Sequence, residues 1–272
     1  MPLLEVQNLA IHLDPGHLDE PLVSGVDLTL HRGGTLGVVG ESGSGKSLTC
    51  RSVLGILPPE LHTGPATSIR FDGVELTELD ATGWGPYRAD RIGAVFQDPG
   101  SYLDPSVPVG RQLAEVLRVR GGLRKREARD QTVELFTEVG LREPARVAGQ
   151  YPFELSGGML QRVLIAIAIC RAPDLLVADE ATTALDVTVQ AEVLDLLADL
   201  RERHGLALVL VSHDLAVVAQ VCEEVVVMRS GRIVERGTAA QVLRAPQHEY
   251  TRCLVEAHGR FGIEHVREAR HV

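Results

Sequence analysis

Apolar stretches of strand length recur along this chain, at Leu3 to Leu9, Val26 to Leu30, Thr35 to Val39, Ile92 to Phe96, Leu175 to Ala178, Ala207 to Val211 and Glu224 to Met228. Longer runs with helical periodicity separate several of them. The stretches LGVV, LLVA and LVLV are unbroken Val/Leu rather than alternating, which predicts strands buried on both faces and covered by interleaved helices. The fold class is therefore α/β, with a mostly parallel sheet at its core. Two regions depart from that rhythm. The segment up to about Phe71 is rich in alternating strands and predicts an antiparallel β lobe, and the segment from about Gly100 to Cys170 predicts a helical lobe. The expected organisation is a single domain over 1–272, with core and β lobe in 1–99 and 171–245, the helical lobe in 100–170 and a C-terminal tail in 246–272. In MRSGRIVERG, Ser230 and Gly231 separate two short apolar stretches, a hairpin signal.

Composition narrows the function. At 272 residues with 44% hydrophobic content the chain can bury a substantial core. Its 27 Lys plus Arg against 37 Asp plus Glu, a net charge of -10, offers no footprint for a polyanion, so nucleic acid is not an expected partner. Cys50, Cys170, Cys222 and Cys253 form no CxxC pair, which suggests neither a zinc site nor a disulfide framework and fits a reducing cytosol. MPLLEVQNLAIHLD lacks the basic and apolar regions of a secretory signal, so export is not expected. The most apolar run, Val163 to Cys170, falls far short of the roughly 20 residues a membrane-crossing helix needs, so membrane contact is expected through a partner.

The sharpest motif is GESGSGKS, residues 40 to 47, placed between the buried strand TLGVV and the helix-compatible LTCRSVLGIL. Gly40, Gly43 and Gly45 allow a tight turn that aims N–H groups at phosphate oxygens, with Glu41, Ser42, Ser44 and Leu48 completing the contact surface. Lys46 is expected to reach the β- and γ-phosphates and Ser47 to ligate Mg²⁺. An ordinary glycine-rich turn does not explain the full spacing together with both flanks.

Two further strands end in chemistry. LLVADE closes in Asp179 and Glu180, a costly place for charge unless metal or substrate meets it. Asp179 is the expected Mg²⁺ partner, and Glu180 is placed to orient or deprotonate the water that attacks the γ-phosphate. The competing structural use is a cap on the next element. LVLVSHD repeats the design with Ser212, His213 and Asp214, at the sheet edge where ligands of open α/β folds sit. His213 alone would more often be structural; a γ-phosphate sensor is its functional alternative.

YPFELSGGMLQR, residues 151 to 162, resembles the signature motif of ABC ATPases. With it, the order GESGSGKS, Gln97, LSGGM, LLVADE, ALD and His213 is similar to a complete ABC nucleotide-binding domain, and the resemblance spans essentially the whole chain. It implies a P-loop, RecA-like core with ATP and Mg²⁺. Ser156, Gly157, Gly158 and Met159 would contact ATP held by a facing subunit, in a head-to-tail dimer with two nucleotides between the subunits. The physical logic of the signature stands separately, since N–H groups and a helix dipole meet there. The resemblance makes Gln97 the Q-loop glutamine, near Mg²⁺ and the permease-gripping surface, and Ala184, Leu185 and Asp186 the D-loop. It makes the chain an ATP hydrolase with catalytic Glu180, His213 and Gln97, peripheral on the cytoplasmic face of the inner membrane. Its partners would be two transmembrane permease subunits, a second ABC ATPase subunit, usually a distinct chain in relatives although the sequence leaves homodimer and heterodimer open, and an extracytoplasmic substrate-binding protein.

Met159, where most members carry glutamine, together with FQDPGSYLDP and PQHEYT, resembles the oligopeptide, dipeptide and nickel importer branch. GMLQR, GKSLTC and LGILP look most similar to nickel-import and opine-metallophore-import ATP-binding subunits, with peptide importers next. Two departures stand out. Ala181 replaces the usual proline after Glu180, and no aromatic is evident for adenine stacking, His17 or Leu18 being nearest. His258, His265 and His271 match no compact ligand pattern and read as a solvated tail. Two other classes fit less well. Translation and repair ABC ATPases carry paired units or long insertions absent here, and a P-loop kinase leaves LSGGM unexplained.

Overall fold

The computed structural model describes residues 1–13, 20–182 and 185–259. In chain order the elements are β1 (Pro2–Leu13), β2 (Val23–His31), β3 (Thr35–Val39), α1 (Lys46–Val53), β4 (Leu61–Thr63), β5 (Ser68–Phe71), β6 (Val74–Glu75), α2 (Ala81–Pro86), β7 (Ile92–Phe96), α3 (Val109–Gly121) and α4 (Lys125–Glu138). They continue with α5 (Pro144–Val147), α6 (Gly157–Ile169), β8 (Leu175–Asp179), α7 (Val187–His204), β9 (Ala207–Ser212), α8 (Leu215–Val221), β10 (Glu224–Arg229), β11 (Arg232–Thr238), α9 (Ala239–Arg244) and α10 (Glu249–Gly259). These fall into two compact units, one built from Met1–Trp84 and the chain from Ala207 onward, the other from Gly85–Leu206.

The first unit carries two sheets. One is antiparallel in the order β2-β1-β5-β6, with β4 also paired to β1, and is the β lobe that the alternating pattern predicts. In β2, Val26, Leu28 and Leu30 face inward while their neighbours are exposed, so period two buries one face, and Val23 is also buried beyond an irregularity at Ser24–Gly25. In the other sheet β10, β3 and β9 run parallel, with β11 antiparallel along β10. Every residue of β3 and β9 is buried, which is why these strands read as continuous apolar runs. Ser230 and Gly231 join β10 to β11 with φ of 48° and 75°, two consecutive left-handed residues as a type I′ hairpin turn requires.

The second unit pairs β7 with β8 in parallel and is otherwise mostly helical. In α6, Val163, Ile165, Ala166 and Ile169 are buried. In α7, Val193, Leu194, Leu196, Leu197 and Leu200 form one buried stripe, and the helix stops at left-handed Gly205. Phe136, Leu113 and Leu117, each at most 1% exposed, fill the space between α3 and α4.

Part of the stretch read as a C-terminal tail is helical, since Glu249–Gly259 forms α10. Its Tyr250, Thr251 and Leu254 are buried, and that burial makes it an integral element. His265 and His271 lie outside the described residues.

The turn closing the β lobe is fastened by Glu75. Its carboxylate accepts hydrogen bonds from the Ser68 and Thr77 hydroxyls and from the Ile69 N–H at 2.8 Å. Burial pushes its pKa up, but the Ser68, Thr77 and Ile69 donors together outweigh this and hold it at about 2, against an ordinary 4.5. A carboxyl depressed on folding contributes stability that is whole above its unfolded value and fades as pH falls toward the folded one. Glu75→Gln is therefore expected to cost about 1–2 kcal/mol at pH 7, after allowance for solvent screening, and progressively less between pH 4.5 and about 2. Urea unfolding of both chains at pH 7 and pH 3 measures it; a gap that widens on acidification rules it out.

Candidate functional site

In the first unit, parallel register sets Val39 opposite Ser212 on one side and Val227 on the other. The residues that follow, Gly40, His213 and Met228, thus emerge at one carboxyl edge. Gly40 has no room for a side chain, because a Cβ would lie 2.2 Å from Met228 O. Gly43 and Gly45 have φ of 80° and 99°, and a Cβ on Gly45 would crowd Val23 and Gly231. The loop then enters α1 with Gly45 as its N-cap, so the first-turn N–H groups of Lys46, Ser47 and Leu48 face the loop.

Lys46 is 3% exposed, and its ammonium donates to the Gly40 and Glu41 carbonyls at 2.8 and 2.9 Å. Ser44 Oγ is shut away from solvent with no hydrogen-bond partner among the described residues. A buried cation, an orphaned hydroxyl and an N-terminal helix end around a glycine-walled loop fit a polyphosphate. Glu41 and Ser42 are exposed on the rim. The hairpin tip buttresses the loop, since Gly231 N donates to Ser44 O at 3.0 Å. Behind it, the Glu41 N–H donates to the Tyr250 hydroxyl at 2.9 Å. Sequence reasoning saw the hairpin and the PQHEYT segment but not that both hold the phosphate loop; only the register and α10 reveal it. His213 is exposed, and Asp214 behind it caps α8 by accepting from Ala216 N and Val217 N.

In the second unit, register pairs Phe96 with Asp179, so Gln97 and Glu180 leave the same end of the β7–β8 pair. Asp179 is 5% exposed and Glu180 half-buried. Glu180 has φ of 50°, a left-handed conformation that costs a residue with a side chain about 1–2 kcal/mol. Ala181, 3% exposed, follows without proline's constraint.

Ser156 N-caps α6, its Oγ accepting from Met159 N at 3.3 Å. Gly158 is needed inside the fold, since a Cβ there would lie 2.6 Å from Val189 Cγ1. Gly157 is not, since its Cβ would meet Leu185 Cδ2 at an ordinary 3.6 Å. Asp186 caps α7 by accepting from Val189 N at 3.0 Å. Ala184, His17 and Leu18 lie outside the described residues. Gln97, Gly157, Leu160, Gln161, Ala181 and Leu185 line one cavity of about 240 Å³. This brings the Q-loop, signature and D-loop candidates together. Gln161, 1% exposed, has neither amide atom hydrogen-bonded to a described residue, and sequence reasoning gave it no role.

The donors assigned to Mg²⁺, the Ser47 hydroxyl, the Asp179 carboxylate and the Gln97 amide oxygen, are hard oxygens of the kind that ion takes. Among the described residues no cluster of three His, Cys, Asp or Glu groups forms a self-sufficient metal cage. A magnesium ion taking any of these oxygens would draw its remaining ligands from phosphate and water, and would supply neutralisation of charge developing on the γ-phosphate.

A buried lysine on a glycine-walled loop, closed by a strand and opening a helix, defines a P-loop nucleotide-binding protein. Residues 23–183 match the family described as ABC transporter, and the chain belongs to that family. It is 43% identical over 256 residues, 94% of its length, to the peptidoglycan transport ATP-binding protein YejF of Agrobacterium fabrum, and it spans 47% of that protein. It is 41% identical to the metal-staphylopine import system ATP-binding protein CntD of Staphylococcus aureus, covering 94% of this chain and 93% of that one. The dimeric post-hydrolysis structure of the ATP-binding cassette MJ0796 with ADP and Pi superimposes with a TM-score of 0.75 at 27% identity, over 87% of this chain and 98% of that one. The chain is thus an ATP-binding cassette protein similar to import-system ATP-binding proteins.

Proposed function

We propose that this chain hydrolyses ATP with Mg²⁺ to drive an importer whose membrane-crossing parts lie in other subunits. The observation that supports the reading is that the chain has two glycine-containing helix starts whose N–H groups suit a phosphate. One is α1 behind Gly40–Ser47; the other is α6 behind Ser156, where Gly157 is left open without any packing need. The second start is explained when it completes a nucleotide held by a facing subunit. In that assembly Lys46 and the loop amides bind the phosphates, and Glu180 takes a proton from the attacking water. His213 donates to the γ-phosphate, and Gln97 reports the site's state to the permease surface. Asp186 and its loop line the dimer interface.

Among the described residues no helix is long and apolar enough to cross a membrane. We place the chain peripherally at the cytoplasmic face, held by two permease subunits, as the import-system relatives support. Tyr102, Tyr151 and Phe153 are exposed at 53%, 37% and 75%, aromatic surface suited to such a partner. For cargo we propose nickel or a metal–metallophore complex, delivered by an extracytoplasmic binding protein, with a second, related ATPase as the dimer partner. The metal-staphylopine relative supports the metal–metallophore part of this choice. A dipeptide or oligopeptide importer is the second reading, carried by a 40% identical relative named as a dipeptide transport ATP-binding protein.

Affinity purification from its own cells is expected to recover the chain with two hydrophobic permease subunits and a second ATPase. Recovery with ribosomes or DNA instead would make it a non-transport ABC ATPase. Uptake of labelled nickel, metallophore complex and dipeptide by cells lacking the chain then separates the cargo readings.

A further inference from the structure

One peptide group in the phosphate loop is gripped at both ends. The Gly40 carbonyl accepts from the Lys46 ammonium at 2.8 Å, and the N–H of that same peptide plane, belonging to Glu41, donates to the Tyr250 hydroxyl at 2.9 Å. Because C=O and N–H of a trans peptide point in opposite directions, one contact cannot swing without the other. The next carbonyl, Glu41 O, takes a second hydrogen bond from Lys46. The orientation of this plane therefore decides where the lysine rests, and a phenol 209 residues away in sequence braces it from outside the loop.

The brace is itself held rigidly. Tyr250 is 5% exposed, and the Arg229 guanidinium lies 4.8 Å from its ring centroid. The entry to α10 is tied to β11, since the Glu235 carboxylate accepts from Gln247 N and His248 N at 2.8 and 3.0 Å. His248 Nδ1 accepts from Tyr250 N at 3.1 Å. With Leu254 also buried, α10 stays seated by its apolar face and these backbone bonds. A phenylalanine ring would anchor the helix equally well, so the hydroxyl is surplus to anchoring. Burial holds the phenol above its ordinary value despite the Glu41 N–H pulling the other way, so it stays neutral at physiological pH.

We infer that Tyr250 is a positioning residue for nucleotide binding: its hydroxyl fixes the Gly40–Glu41 peptide plane and thereby presets the Lys46 ammonium for the phosphates. This rests on the ATP reading above. Without the hydroxyl the plane is free to rotate, and nucleotide must order it on arrival. That ordering weakens binding rather than the chemical step.

The test compares the full chain with Tyr250→Phe, using equilibrium binding of a fluorescent ATP analogue with Mg²⁺, steady-state phosphate release, and melting without nucleotide. Expected are an approximately fivefold rise in Kd and in KM for ATP, kcat within about twofold, and little change in Tm. Hydrogen exchange at the Glu41 amide should quicken in the nucleotide-free variant. Arg229→Ala, which keeps the hydroxyl, is expected to leave KM within about twofold. An unchanged KM in Tyr250→Phe, with or without a fall in Tm, would make Tyr250 an anchor alone. A KM rise in Arg229→Ala but not in Tyr250→Phe would assign the effect to ring packing. Should the unaltered chain bind no ATP, the underlying reading fails; should it bind and the variant match it, only this inference fails.

Discussion

Glu180→Gln is expected to leave MgATP binding within about twofold while lowering the hydrolysis rate at least about 100-fold. Glutamine keeps the size and the hydrogen-bonding reach of glutamate, and the left-handed backbone at this position costs both residues about the same. The change thus removes one capacity, acceptance of a proton from water. The proposed phosphate cradle, Gly40 to Leu48, belongs to the other unit and does not include Glu180. Phosphate release and equilibrium binding measured on the same preparation check both halves. Hydrolysis at the unaltered rate would strip Glu180 of the role.

Much of the architecture was legible because fully buried strands must be written in apolar residues. Thr35–Val39 and Ile92–Phe96 stand as strands with the limits the sequence predicts. β4, β5 and β6, of two to four residues, were too short for any period to show and exist through their pairing with longer neighbours. Gly40, Lys46, Asp179 and Ser156 stood out in the sequence as candidates because phosphate and metal chemistry demands particular atoms at fixed spacing along the chain. The supports of those atoms did not. Met228 O behind Gly40, Gly231 N on Ser44 and Tyr250 on Glu41 are contacts between segments about 190 to 210 residues apart, and no local pattern encodes such distances. Asp186 carries a further lesson: its helix-capping contact to Val189 N is a sufficient structural reason for the residue, whatever it does at an interface.

The signature glycines allow folding and function to be pulled in opposite directions. Gly157→Asp places a carboxylate at the first position of α6, where the helix dipole favours it by about 0.3–1 kcal/mol. Its Cβ meets Leu185 at 3.6 Å, a normal contact. The variant should melt at or slightly above the temperature of the unaltered chain. Yet if α6 completes a facing subunit's triphosphate, the same carboxylate sets a negative charge against phosphate oxygens in a site closed to water. ATPase activity should then fall about 100-fold or more, while the α1 cradle of the single chain still binds ATP. Gly158→Ala supplies the contrast, because its methyl would lie 2.6 Å from Val189 Cγ1, and it is expected to lose about 1–3 kcal/mol of stability. Melting curves and phosphate release on both variants decide the matter. A Gly157→Asp chain that hydrolyses ATP at the normal rate leaves α6 without a nucleotide to face, and the two-subunit site falls with it.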